Sequence, residues 1–207
     1  MKNLFDLVFK KYKCYATAVF LLINLAVFLW MFLHNAAFDT LYMYDCGAMT
    51  PDSLKKGDYY RLITSMFLHF DLQHLGNNML MLAAIGSTTE RYMGTLSFVL
   101  VYLFGGIAGN LFSAWNYTRI GEHVVAAGAS GAVFAVIGGL LCLVLIHKGR
   151  LENFTTKKVM VFIVLILYQG FTTENVDNYA HAGGLAAGFI IGAACMAVKH
   201  QLNRRER

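Results

Sequence analysis

The chain has 207 residues, 57% of them hydrophobic and only 14% charged, where an ordinary soluble domain carries about 25% charged residues. With a mean hydropathy of +0.53, this is the composition of a single membrane-embedded domain rather than of a soluble one. The net charge of +5 does not indicate a nucleic-acid partner, because the basic residues sit in loops and tails between apolar runs.

In chain order, residues 1–13 form a basic N-terminal segment. Residues 14–33 form an apolar run longer than the roughly 7–15-residue core of a cleaved secretory signal, so they are expected to remain as a first span. A long loop follows at 34–60, with the single proline, Pro51, and several aromatic residues suited to the membrane interface. Loops of this length are more often functional than idle. A second, polar-interrupted span is expected over 72–86 and a third over 96–115. The fourth starts near 126 and ends at 147. The fifth, over 158–171, is short, but 154–157 can extend it with the lysines snorkelling. The sixth covers 179–198, and a basic tail occupies 199–207.

Six spans put both termini on one side. With the N-terminus cytoplasmic, the outer segments hold only Lys55, Lys56, Arg61 and Arg119 of the 17 lysines and arginines, as the enrichment of Lys and Arg inside requires. The expected architecture is an all-α membrane bundle with cytoplasmic termini, its core spanning 14–198. Cys14, Cys46, Cys142 and Cys195 contain no CxxC pair, so neither a disulfide framework nor a zinc site is indicated.

Polar side chains inside spans are costly and mark candidate sites. Four stand out: His74 and Asn78 on the second span, Ser130 on the fourth and His181 on the sixth. Ser130 lies in Ala126-Ala-Gly-Ala-Ser-Gly-Ala-Val-Phe134, at or near the start of a helix entering from outside, where unpaired N–H groups and the positive end of the dipole gather. Serine among small residues is also a common packing element in membranes, and the soluble GxSxG elbow is not matched, since Ala132 replaces its last glycine. His181 falls in the first turn of the sixth span, and Gly184, Gly188 and Gly192 continue its face. Such a glycine face lets another helix approach closely. A serine and a histidine within hydrogen-bond reach are the minimum for nucleophilic catalysis.

His74 and Asn78, four residues apart, share one helix face and could donate to a developing oxyanion. A metal held by His69, His74 and His181 is the competing reading, but no HExxH occurs.

Three motifs in chain order, His74-x-x-x-Asn78, Gly128-Ala-Ser130-Gly131 and Ala180-His181-x-x-Gly184-x-x-x-Gly188, resemble the rhomboid intramembrane serine proteases. Gly86-x-x-x-Glu90-Arg91-x-x-Gly94 is also similar to that family's pattern, and the resemblance extends over the chain from about residue 14. It implies Ser130 as nucleophile and His181 as general base and acid, a dyad without a third carboxylate. It implies an oxyanion hole from His74, Asn78 and the Ser130 N–H, a tight loop at Gly128, and structural roles for Glu90 and Arg91. It also implies that loop 34–60 lies in the outer leaflet and that 158–178 gates substrate entry. One position departs from the pattern: Phe134 stands where bacterial members often carry a tyrosine, so stacking on the histidine survives and a hydroxyl hydrogen bond does not.

The expected activity is therefore that of an intramembrane serine endopeptidase in the cell membrane, its site open to the extracytoplasmic side. Its partners would be the lipid bilayer and single-pass membrane proteins with a locally weak helix. No metal, nucleotide or other cofactor is implied. Two alternatives stay open: a non-catalytic member of the same fold that binds membrane clients for turnover or trafficking, and a transporter, although no inverted repeat is evident.

Overall fold

The computed structural model describes residues 14–34, 39–173 and 176–205. The N-terminal segment 1–13, residues 35–38 of the first loop, residues 174 and 175 of the expected cap segment and the last two residues of the tail lie outside this description.

Six long helices carry the fold: α1 (Tyr15–Leu33), α5 (Leu72–Met93), α6 (Thr95–Ile120), α7 (Ser130–Ile146), α8 (Thr156–Thr172) and α9 (Asn178–Arg205). Between α1 and α5 stand three short ones, α2 (Thr40–Asp45), α3 (Pro51–Lys55) and α4 (Arg61–Thr64), followed by a 3-10 turn at Ser65–Phe67. A two-stranded antiparallel hairpin, β1 (Arg150–Leu151) and β2 (Phe154–Thr155), links α7 to α8. By length and composition α1, α6 and α9 can each cross a membrane, and α7 is a shorter apolar helix. At 1.5 Å per residue its 17 residues cover about 25 Å.

α7 is the centre of the bundle. Every residue from Gly131 to Leu140 is buried, so it is apolar all round, as a core helix should be. α9 and α6 pack against it through glycines. A Cβ on Gly184 would collide with the Gly131 carbonyl, one on Gly188 with that of Ala135, and one on Gly138 with that of Leu185. On α6, Gly109 faces the Ala180 carbonyl, with room for an added Cβ only 2.7 Å from it. In lipid, helices associate by close packing of this kind rather than by exclusion of water. The outward faces are correspondingly apolar: Leu22, Leu29 and Phe32 of α1 and Val164, Leu165 and Phe171 of α8 are all exposed.

α5 runs seven residues past the expected end at 86 because its polar last turns find partners. The Glu90 carboxylate is 1% exposed. It accepts from the backbone N–H groups of Ala16 at 2.9 Å and Thr17 at 2.8 Å, from the Thr17 hydroxyl at 2.7 Å and from the Thr95 hydroxyl at 3.0 Å. α1 has no side-chain cap of its own, so Glu90 caps it from another helix and sets a negative charge at its N-terminus, where the dipole favours one. Arg91 reaches Glu152 of the hairpin at 3.0 Å, and the Tyr92 hydroxyl donates to the same carboxylate at 3.1 Å.

The first loop contains the short capped helices in place of an irregular excursion. Thr50 and Ser53 form a capping box at α3. Arg61 is buried beneath them, donating to the carbonyls of Tyr44 and Ala48 and to Asp58 while lying over the Tyr44 ring at 4.0 Å. α8 is the least anchored long helix, with Val159, Ile163 and Gly170 as its buried residues. A cavity of about 200 Å³, lined in part by Ile85, Ile137, Val159 and Phe162, opens between α5, α7 and α8.

Removing the acceptor of a buried hydrogen bond leaves its donor unsatisfied, at a cost of about 1–3 kcal/mol. Glu90→Ala is expected to destabilise the bundle on that scale, read as a lowered thermal unfolding midpoint in detergent, and Glu90→Gln by less.

Candidate active site

α7 starts at Ser130, with Ala129 as its N-cap and no side-chain cap. The first N–H groups of a helix have no intrahelical acceptor, so those at Ser130 and just beyond are left to serve another oxygen. Ser130 is itself half-buried. The loop before it is fixed on both sides. Met49 and Ala126 form an antiparallel bridge, and the Gly128 N–H donates to the Ser65 carbonyl at 2.9 Å.

Gly128 has φ +141, and a Cβ there would sit 2.6 Å from His74 Cε1 and 2.7 Å from its Nε2. Only glycine allows both this backbone and this proximity, and the result is to lay His74 against the loop that leads into Ser130.

His74 belongs to the first turn of α5, which Asp71 caps by accepting the His74 N–H at 2.7 Å. Asn78, one turn on, is 7% exposed. Its Nδ2 lies 3.2 Å from His69 Nε2, and the Ala129 N–H points to the same nitrogen at 3.4 Å. The rings of His69 and His74 meet edge to face at 5.1 Å. His69, considered from sequence only as a conceivable metal ligand, thus holds the Asn78 amide and the residue before Ser130 together. Among the described residues no group of three or more His, Cys, Asp or Glu could hold a metal ion.

His181 lies in the first turn of α9 and is 7% exposed. Its ring stacks on Phe134, with centroids 4.0 Å apart and planes 8° from parallel. Phe134 is one turn along α7 from Ser130, so the stack sets the imidazole beside the helix that begins with the serine. The contact of Gly184 with Gly131 brings the same two helix ends together. No hydrogen bond joins Ser130 to His181 among the described residues, and His181 Nδ1 is buried without a partner. Catalytic hydrogen bonds are often long in unliganded enzymes and tighten only with substrate.

Of the remaining residues singled out from sequence, Gly131, Gly184 and Gly188 form the α7–α9 contact, while Glu90 and Arg91 stand at the other end of α5, away from the serine. Sequence reading missed Asp177. It accepts from Ser113 of α6 and from the Ala180 N–H at 2.9 Å. Burial pushes its carboxyl above the usual range, and these donors partly offset that.

Composition and helices define the class, a mostly helical integral membrane protein. Residues 56–198 match the rhomboid domain model, and the chain belongs to the rhomboid family. The rhomboid protease GluP of Bacillus subtilis is 32% identical over 90% of this chain and 36% of its own length. RHOMBOID-like protein 4 of Arabidopsis thaliana is 33% identical over 74% of this chain and 39% of its own length. The rhomboid protease AarA of Providencia stuartii is 30% identical over 90% of this chain and 74% of its own length. The chain thus spans little more than a third of the length of the first two.

Gly128→Ala is expected to cost about 1–3 kcal/mol of stability from its backbone conformation alone, and to push the His74 ring from its place. Thermal unfolding in detergent, beside Gly57→Ala at a positive-φ glycine with open space around it, checks whether the ring contact adds to the backbone strain.

Proposed function

We propose that the protein is an intramembrane serine endopeptidase that cleaves membrane-protein segments through Ser130 and His181. The observation that carries this reading is the His181–Phe134 stack on the helix that opens with Ser130. It fixes the imidazole plane without a third residue, consistent with a dyad and with the unpartnered Nδ1.

In this reading the Ser130 hydroxyl attacks the scissile carbonyl carbon and His181 takes its proton. The carbonyl oxygen becomes an oxyanion, served by the Ser130 N–H at the uncapped start of α7, by the Asn78 amide and by His74. The Asn78 amide has two N–H donors. His69 engages one and so orients the other. As the tetrahedral intermediate collapses, His181 returns the proton to the leaving amine. Water, deprotonated by the same histidine, then releases the acyl group from Ser130.

Donors preset where charge develops need no reorganisation during the reaction, and a buried site makes them stronger than they would be in water. Helical peptide bonds are hydrogen-bonded and sterically covered, so single-pass substrates with a locally weak helix and small residues fit best. They would enter beside α8, the least anchored helix.

The same reading has six spans with both termini cytoplasmic, α5, α7 and α8 included, and a site opening to the extracytoplasmic side of the cell membrane. The first loop would lie in the outer leaflet. It places the catalytic domain at 14–198 between basic ends, with no metal or cofactor required.

Cleavage of a model single-pass substrate by purified protein in liposomes tests the chemistry. Wild type should cut, Ser130→Ala and His181→Ala should be inactive, and a metal chelator should have no effect. His74→Ala and Asn78→Ala should each lower kcat by about 10²–10³, as loss of one oxyanion donor does. Cleavage by Ser130→Ala would sink the serine mechanism. Wild-type binding without cutting would favour a non-catalytic client-binding role.

A further inference from the structure

The glycine contacts between α7 and α9 bring two backbones close. These contacts set how close the two helices lie, but none of them is a polar bond to the first turn of α9. The height and rotation of the first turn of α9 therefore need another constraint, because His181 sits in that turn. Phe134 fixes the plane of the ring but not the helix that carries it.

Asp177 supplies a constraint of the right kind. One carboxylate oxygen, Oδ2, accepts from the Ser113 hydroxyl on α6. The other, Oδ1, accepts from the Ala180 N–H at 2.9 Å. The Asp177 carbonyl accepts the His181 N–H at 3.1 Å. Ser113 is fully buried, so its hydroxyl is a fixed point. Gly109, one turn before it on α6, packs on the Ala180 carbonyl. Gly109 thus meets the residue immediately before the histidine, and Ser113 holds the aspartate that accepts that residue's N–H.

We infer that Asp177, acting with Ser113, is a positioning residue that sets the height of His181 relative to Ser130. It touches neither substrate nor the reacting atoms, and acts through the first turn of α9. The inference rests on the serine-protease reading above. Misplacing a catalytic group by about 1 Å can cost on the order of 10²-fold in rate, so a loosened first turn should show in the chemical step before it shows in binding.

The test uses the full chain in liposomes and two readouts: the rate of Ser130 labelling by a fluorophosphonate, and kcat and KM for a model single-pass substrate. Asp177→Ala should slow labelling and kcat by about tenfold or more, while KM stays within about twofold. Asp177→Asn keeps an acceptor for the Ala180 N–H and should recover part of the loss. Ser113→Ala should fall between it and wild type. Wild-type labelling rates in both Asp177→Ala and Ser113→Ala would overturn the inference, as would a loss confined to KM.

Thermal unfolding identifies a variant that does not fold. If Asp177→Ala is one, Ser113→Ala decides, slowed labelling at unchanged KM supporting the inference and a wild-type rate overturning it. If wild type itself is not labelled at Ser130, with Ser130→Ala as control, the serine reading fails and this inference falls with it. If wild type is labelled and the variants match it, only the positioning role fails.

Discussion

The structure depends on two backbones meeting without side chains between them. Where α7 and α9 cross, the carbonyls of Gly131 and Ala135 occupy the volume that side chains on Gly184 and Gly188 would need. Neither helix could sit here with alanines at those two α9 positions unless the pair moved apart. Everything placed on the two helix ends inherits that spacing: Ser130 on one, His181 on the other, with the Phe134 ring of α7 stacked on the imidazole. α6 then closes on both through Gly105, whose added Cβ would collide with that of Ala135, and Gly109. The central three helices form a block tight enough to hold polar groups at defined positions in an apolar surrounding.

Those polar groups are satisfied largely in pairs from distant parts of the chain. Asn110 donates to the Leu62 carbonyl at 2.9 Å and to the Ser65 hydroxyl at 3.0 Å, tying α6 to the turn that also receives the Gly128 N–H. Asn24 of α1 donates to the Phe20 carbonyl and lies 3.4 Å from the Tyr102 hydroxyl of α6. A buried polar atom without a partner is expensive, which makes the exceptions informative. Among the described residues these are Asn24 Oδ1, Asn178 Oδ1 and the Nδ1 atoms of His69 and His181. The two histidines border the start of α7, His69 through the Ala129 N–H and His181 through the Phe134 ring.

The long helices were legible in the sequence because apolar runs bounded by charge or glycine are local signals. The end of α1 at Leu33 falls at the expected residue, and α7 ends within one residue of it. The motif residues were legible as types at a spacing, but not as neighbours. What could not be read was whatever depends on partners far apart in the chain. The last two turns of α5 look like a loop until Glu90 is seen to serve α1. The hairpin after α7 has no strand-like pattern, and Lys148 and Glu152 take positive φ there without being glycine. Asp177 reads as an ordinary loop acid, because Ser113 is 64 residues away. His69 was visible only as a histidine. Its link to Asn78 needs the turn between them to fold back.

The capping of α1 by Glu90 has a consequence for how the molecule is made. The donors at the start of the first helix wait for an acceptor 73 and 74 residues further along the chain. When α1 leaves the ribosome the carboxylate that accepts from its first turn has not yet been made, and it arrives only near the end of α5. Thr95, the fourth donor to the same carboxylate, arrives five residues later at the start of α6. One acid therefore joins three helices, and α1 gains this cap only when the α5–α6 corner stands beside it. Contacts of such separation carry a loop-closure cost that must be met before they form.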